Sequence, residues 1–576
     1  MGKKAFITTA ICLLLPTYLS FAQEPSIDTG DTAWILTSSA LVLMMTIPGL
    51  FLFYGGLVRA KNTLGTIMQS FTIVALVSIQ WVLFGYSLAF GPDKGGIIGS
   101  LEWFALRGVG IEPNPDYAST IPHQAFMVFQ MMFAIITPAL ITGAFAERAK
   151  FGTFMLFILL WTTFIYDPIA HWVWGINGWM REMGALDFAG GTVVHISSGV
   201  SALAAALIFG KRIGYGKEAM PPHNLPFTIV GASLLWVGWF GFNAGSALAS
   251  GTLATSAFVV THVATASAIL GWMFTEWIIR RKPTVLGAAT GAVAGLVAIT
   301  PASGFVSPLS AIAIGIGAGI LCYAAVNLKV KLGLDDSLDV VGVHGIGGTW
   351  GAIATGLFAS KAINPAGADG LFFGNPSQLK IQAIAVIATW LFAFFGTLTI
   401  LFILKAIMGL RVSIEKELEG LDLSEHGEVA YSGFQMIHSL GSSEIKALEE
   451  EIEELEKRKE KILMRMVSTG FGEGLIGRSL TKREELEPQG EAVVDKPFKI
   501  VVENVSKEEI KRWWEDMCYQ STGSRPKEFN EIFRQVKKFH NGTFFFRRGN
   551  PEEAKRKLNL LLRGFNPRLR VEYGED

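Results

Sequence analysis

Two stretches of this chain place ionisable side chains in an apolar setting. In the first, Asp187-Phe-Ala-Gly-Gly-Thr-Val-Val-His195, an imidazole follows a carboxylate by eight residues. The second, Asp336-Ser-Leu-Asp-Val-Val-Gly-Val-His344, repeats the interval. A helix rises about 1.5 Å per residue, so each imidazole lies roughly 12 Å beyond its carboxylate. A hydrocarbon core is about 30 Å thick, and two such elements entering from opposite faces would bring the imidazoles together near its middle. Ionisable groups at that depth are costly and mark a transport path. Two facing imidazoles can share one N–H while both stay neutral. The two aspartates admit two readings: helix caps that accept first-turn amides, or groups shaping a pore entrance. No Cys, Asp or Glu flanks either histidine inside its span, so no metal and no cofactor is expected.

An aromatic set accompanies the histidines. Phe129-Gln-Met-Met-Phe133, His171-Trp-Val-Trp174 and Trp236-Val-Gly-Trp-Phe-Gly-Phe242-Asn-Ala-Gly-Ser246 all fall in or at the ends of apolar runs. Aromatics at span ends form interfacial belts, but Phe242 and Ser246 lie inside a run. Ring faces attract a cation within ~6 Å, more strongly where water is excluded, and a hydroxyl beside them accepts an N–H. That combination suits ammonium, without a carboxylate that would also hold sodium or potassium.

The elements that position these residues are membrane helices. Half of the 576 residues are hydrophobic and only 17% are charged, the profile of a polytopic membrane protein with a soluble appendage. Net charge is zero, and the three cysteines show no metal or disulfide spacing. Residues 1–22 read as a signal peptide, with cleavage after Ala22; an uncleaved extra span is the other reading. Eleven apolar stretches follow, at 33–57, 65–91, 124–146, 151–175, 190–210, 227–247, 256–279, 284–301, 307–328, 341–360 and 381–409. Alternate loops are basic, for example Arg148 with Lys150, and Arg280 to Lys282. The positive-inside rule then puts the mature N-terminus outside and the C-terminus in the cytoplasm of a plasma (inner) membrane protein. Spans one to five and six to ten would have opposite orientations, each set closing on an Asp–His element: a 5+5 inverted repeat with the site at its interface. The fold class expected is an all-α polytopic membrane protein, with a cytoplasmic coiled coil and a small α+β domain.

These motifs resemble the Amt/Mep/Rh family of ammonium transporters over residues 30–432. The resemblance rests on Asp187 to His195 continuing to Gly210-Lys-Arg212, on Gly238 to Ser246, Ile299-Thr300-Pro-Ala, Gly342-Val-His344-Gly and Tyr54-Gly-Gly-Leu-Val-Arg-Ala-Lys-Asn62. It implies a homotrimer of eleven-helix subunits, each with its own pore. It implies that Trp174, Ser246 and Phe133 recruit ammonium, that Phe133 and Phe242 form a gate, that His195 and His344 line the pore, and that Asp187 is the essential acidic residue near the recruitment site. It implies transport rather than catalysis.

Beyond a membrane domain at 30–410, residues 411–442 resemble the family's cytoplasmic tail. Residues 443–466 carry apolar positions at coiled-coil spacing; a trimer, a dimer and a single solvated helix are all open. Residues 467–495 read as a linker and 496–576 as an α+β domain, with strands at 498–504, 543–547 and 568–573 and helices from Ser506, over 526–539 and over 551–563. Its interleaved charges describe a solvated face, so no nucleic acid is expected. A PII-type nitrogen signalling protein at the cytoplasmic face is the partner to test, and an ammonium sensor signalling through this domain is the alternative function.

Overall fold

The computed structural model describes residues 27–431, 498–503, 506, 510, 514, 536–540, 543–546, 551–562 and 568–573. The expected signal peptide, coiled coil and linker lie outside the described residues. What is described falls into two compact units, a helical bundle and a C-terminal sheet.

The bundle consists of α1 (Thr29–Leu57), α2 (Ala60–Phe90), α3 (His123–Phe145), α4 (Phe151–Glu182), α5 (Gly191–Phe209), α6 (Leu225–Gly245), α7 (Thr252–Arg280), α8 (Val285–Ile299), α9 (Pro308–Lys331), α10 (residues 341–358) and α11 (Pro376–Ile407). Local chemistry sets several starts. Asp28 accepts the Asp31 amide at 2.8 Å before α1, and Ser307 caps α9 with Pro308 as its first residue. Large apolar side chains such as Ile79, Phe164, Leu309 and Phe395 stay exposed on the outer surface, where a bilayer replaces water as the solvent. α3 is enclosed on nearly all sides. Small residues let neighbours touch: a Cβ on Gly315 of α9 would lie 2.2 Å from Ala264 O of α7.

Among the described residues, nine helices are long and apolar enough to cross a membrane. Eleven spanning stretches were expected; α8 and α10 are the shorter two. α8 ends at Ile299, where residues 300–305 turn inside the bundle and are buried. Four π-helical segments interrupt the helices, Trp81–Gly85, Thr162–Tyr166, Gly191–Ile196 and Val341–Ile346, and a fifth interruption, Met45–Leu50, is a kink with extended backbone at Ile47. Such segments occur often at functional sites.

At the Asp336 end of the bundle a charged cluster joins the loops. Arg212 pairs with Asp335 at 2.9 Å and with Glu147 at 3.3 Å, and Arg59 pairs with Glu147 at 2.6 Å. Burial opposes the charge on Glu147, but Arg212 and Arg59 outweigh it, so its carboxyl lies below the ordinary value. The tail follows α11 as two short helices, α12 (Ile414–Glu419) and α13 (Leu421–His426). They are pinned to this end: Glu417 accepts the Ile213 amide at 2.7 Å, and Asp422 accepts the Gly65 amide at 2.8 Å.

Among the described residues, the C-terminal unit has four strands, β1 (Phe498–Glu503), β2 (Val536–His540), β3 (Thr543–Phe546) and β4 (Arg568–Tyr573), and a helix α14 (Pro551–Leu561). The sheet is antiparallel in the order β2-β3-β1-β4. Ile500, Phe544, Phe546, Ala554 and Leu558 form its core, with Ile510 from the stretch after Ser506. One expectation is corrected. Residues 536–539, assigned to a helix over 526–539, pair with β3 instead, because the sheet supplies hydrogen-bond partners that a helical pattern cannot reveal.

Candidate functional site

The histidines are positioned by the first turns of α5 and α10. Asp187 Oδ1 accepts the amides of Gly190 at 2.7 Å and Gly191 at 2.6 Å; Oδ2 accepts those of Thr192 at 2.7 Å and Val193 at 3.3 Å, together with the Thr192 hydroxyl. Asp336 Oδ2 accepts the Val341 amide at 2.8 Å, the same five-residue reach that links Asp187 to Thr192. Each carboxylate thus opens a π segment carrying a histidine. The two helices then cross on bare backbone, for a Cβ on Gly199 would lie 2.1 Å from Gly345 N. This close crossing brings His195 and His344 together, with Nδ1···Nδ1 3.2 Å and both rings buried.

The protons of that pair follow from their neighbours. Thr300 donates its O–H to Leu296 O at 2.8 Å and accepts the Trp239 indole N–H at 2.9 Å. Its oxygen can therefore only accept from His195 Nε2, which stands 3.4 Å away. A proton on His195 Nε2 leaves Nδ1 bare, so His344 Nδ1–H donates to it and His344 Nε2 is bare in turn. Trp239 also stacks on His195, with centroids 5.4 Å apart.

The aromatic residues converge at the opposite side of the pair from Asp339. A cavity of about 230 Å³ is lined by Trp174, Phe133, Ser246, Phe126, Gln130 and Arg181, among others. Its floor is the Phe133–Phe242 contact, centroids 4.2 Å apart; Phe133 also meets Trp174 edge-on at 5.7 Å. Ser246 donates its O–H to Phe242 O at 2.8 Å, which leaves its lone pairs to accept. Trp174 is held by its indole N–H on Asp187 O at 2.9 Å. Arg181 lies at the exposed rim and bonds Trp174 O at 2.6 Å. Below the floor, a cavity of about 10 Å³ is lined by Phe242, Trp239, His195, His344 and aliphatic residues. A further one of about 40 Å³ is lined by His344, Tyr54, Asp339 and apolar neighbours.

Of the residues singled out in the sequence, Trp174, Phe133 and Ser246 line the upper cavity, and Phe242, His195 and His344 the middle one. Asp187 and Asp336 line none of the three. Asp187's oxygens are taken up by backbone amides, and Asp336 is fully buried, so capping is the geometry seen at both. The carboxylate on the lower cavity is Asp339, three residues beyond Asp336, paired with Lys329 at 2.5 Å. The sequence reading assigned no role to Thr300, Trp239 or Gln130. Thr300 and Trp239 sat inside stretches already noted, but nothing local says that a hydroxyl on α8's end reaches a histidine on α5. Among the described residues no three His, Cys, Asp or Glu side chains are grouped to hold a metal.

Comparison with known proteins fits this geometry. Residues 33–431 match the family model described as Ammonium Transporter Family. The chain is 56% identical over 403 residues to the ammonium transporter of Bacillus subtilis strain 168, covering 70% of this chain and 98% of that one. The crystal structure of Candida albicans Mep2 is similar with a TM-score of 0.65 and 38% identity, over 70% of this chain and 91% of that one. A structure of a protein described as Sensor Amt Protein is similar with a TM-score of 0.64 and 31% identity, over 69% and 98%. The match ends before the C-terminal sheet. A buried histidine pair under an aromatic cavity, in a multi-pass apolar bundle that matches this family over most of its length, places the chain in the ammonium transporter family and not among the enzymes.

Proposed function

We propose that ammonium enters the 230 Å³ cavity, gives up its proton to solvent on the cavity side of the phenylalanine floor and crosses as ammonia past the histidines. Ring faces of Trp174 and Phe133 attract the cation, and the Ser246 oxygen accepts one of its N–H groups. The cavity holds no carboxylate, which disfavours alkali cations. Passage beyond Phe133 and Phe242 removes water, and an ion without a counter-charge in an apolar passage is costly, so the neutral form proceeds. Ammonia can then donate to the bare Nε2 of His344. Asp187 acts by holding Trp174 and starting α5; Asp336 does the corresponding work for α10.

The observation that carries this reading is the tilted, close-packed Phe133–Phe242 pair between the wide cavity and the 3.2 Å histidine pair. The matched turns at Asp187 and Asp336 support the 5+5 inverted repeat, with α8 and α10 crossing as the shorter of eleven spans. The basic loops support an external Trp174 end and a cytoplasmic tail. Assembly as a homotrimer, and docking of a PII-type protein at the tail, are part of the proposal. Uptake into proteoliposomes tests it: replacing His195 and His344 together by alanine should abolish ammonium uptake, and full uptake in that variant refutes the pore assignment. The added C-terminal unit and the likeness to the Sensor Amt Protein support the second reading, in which ammonium occupancy also signals through residues 496–576.

A further inference from the structure

Three of the five helix interruptions belong to the conduction line, since His195 and His344 lie in two and Met45 and Leu50 of the third line the middle cavity. The other two, Trp81–Gly85 of α2 and Thr162–Tyr166 of α4, contribute nothing to the three cavities described above. They face each other, with the rings of Trp81 and Tyr166 6.2 Å apart. Gln80 immediately precedes the first and Asp167 immediately follows the second.

These two side chains meet inside the bundle. Gln80 Nε2 donates to Asp167 Oδ2 at 2.8 Å and reaches Thr163 Oγ1 at 3.3 Å. Asp167 is 0% and Gln80 2% exposed. The carboxamide lies against Gly85, where a Cβ would stand 2.5 Å from Gln80 Oε1 and would push the amide aside. Two atoms of this contact remain, Asp167 Oδ1 and Gln80 Oε1, and neither has a hydrogen-bond partner.

Both leftover atoms are acceptors while the acid is ionised, so they cannot satisfy one another. No Lys, Arg or His among the described residues forms an ion pair with Asp167. His171, one turn further along α4, directs both ring nitrogens elsewhere, to Ala89 O at 3.0 Å and Asp93 Oδ1 at 2.9 Å. His123, on the neighbouring α3, is bonded to Tyr86 Oη at 2.6 Å. An ionised Asp167 would be a lone charge within a membrane helix, buried away from bulk solvent. A single proton removes the charge and supplies the donor that both acceptors lack.

We propose that Asp167 is a resident proton site. It is carried as the neutral acid, with Oδ1–H donated to Gln80 Oε1, so that acid and amide form a closed two-bond pair between α2 and α4. This proton belongs to the fold and is not the one that leaves ammonium at the phenylalanine floor.

Infrared difference spectroscopy on the full chain, wild type minus Asp167→Asn, tests the assignment. The expected result is a carbonyl band of an un-ionised carboxylic acid that vanishes in the variant and keeps its amplitude from about pH 5 to about pH 9. An ordinary aspartate, with a pKa of about 3.9, is ionised over that whole range. The asparagine amide can replace the O–H donor, so ammonium uptake should stay within about twofold of wild type. Loss of carboxylate bands instead of an acid band overturns the proposal, as do carboxylate bands that respond to sodium or ammonium, which would mark a cation held there. Should Asp167→Asn fail to accumulate, Gln80→Leu provides the reading. Removing the acceptor should move the acid band to higher frequency, and an unmoved or missing band there overturns the proposal as well.

Discussion

Thr300→Val isolates the hydrogen-bond chain that sets the histidine protons. The substitution keeps the branched shape and deletes one oxygen. Thr300 is fully buried, and its oxygen is the acceptor for Trp239 Nε1–H at 2.9 Å and for His195 Nε2–H at 3.4 Å. Leaving a buried N–H unpaired costs about 1–3 kcal/mol. The longer contact to His195 is worth less, because hydrogen bonds weaken at that length. Helix contacts in bilayers average only about 0.6 kcal/mol by double-mutant cycles, so a total of about 1–3 kcal/mol is the reasonable expectation. At about 1.4 kcal/mol per factor of ten, occupancy of the conducting arrangement falls roughly five- to 150-fold. Without its acceptor, His195 is free to hold its proton on Nδ1, which reverses the bond to His344 and removes the bare Nε2 that ammonia would meet. Methylammonium uptake into proteoliposomes, with thermal unfolding measured in parallel, reads the effect. Thr300→Ser keeps the hydroxyl and should restore most of the uptake. Wild-type uptake by the valine variant refutes the proton assignment, and equal damage from valine and serine would place the cause in the lost methyl contacts.

Gly199→Ala should keep the two histidines apart, because its Cβ would lie 2.1 Å from Gly345 N; the expected outcome is poor accumulation or folded protein without uptake, checked by size-exclusion profile and transport assay. Arg212→Met leaves the buried Asp335 carboxylate without its main partner, which should lower stability by about 3–5 kcal/mol in thermal or denaturant unfolding. Asp336 has a pH signature. Burial pushes its carboxyl up to about 6, against the pull of Lys329. A raised acid binds its proton more tightly folded than unfolded, so its contribution is present below its ordinary value and is lost as pH rises through about 6. That two-unit shift corresponds to roughly 3 kcal/mol, and Asp336→Asn should flatten the fall in unfolding temperature between about pH 4 and pH 7.

The residue intervals and the hydropathy pattern alone foretold a good deal. An eight-residue step from carboxylate to imidazole, twice, in runs of apolar residues, led to a facing histidine pair, and the structure places His195 and His344 3.2 Å apart. The aromatic stretches offered Trp174, Phe242 and Ser246 for a cation, while grouping Phe133 with Trp174 and Ser246, which line one cavity, came from the family resemblance. These are properties of helical rise and periodicity, which a chain carries locally. Tertiary contact decided the rest. Thr300 reaches His195 across 105 positions of sequence and Gln80 reaches Asp167 across 87, and no local pattern encodes such pairings. Asp187 was legible as a cap, but that its oxygens are turned to amides, leaving Asp339 as the carboxylate on a cavity, depended on how the first turn of α5 coils. Val536–His540 took a strand for the same reason, because a partner strand outweighed a local helical pattern. Spacing along the chain set which groups could share a depth in the membrane, and the crossing of α5 over α10 on bare glycine backbone determined that the two histidines touch.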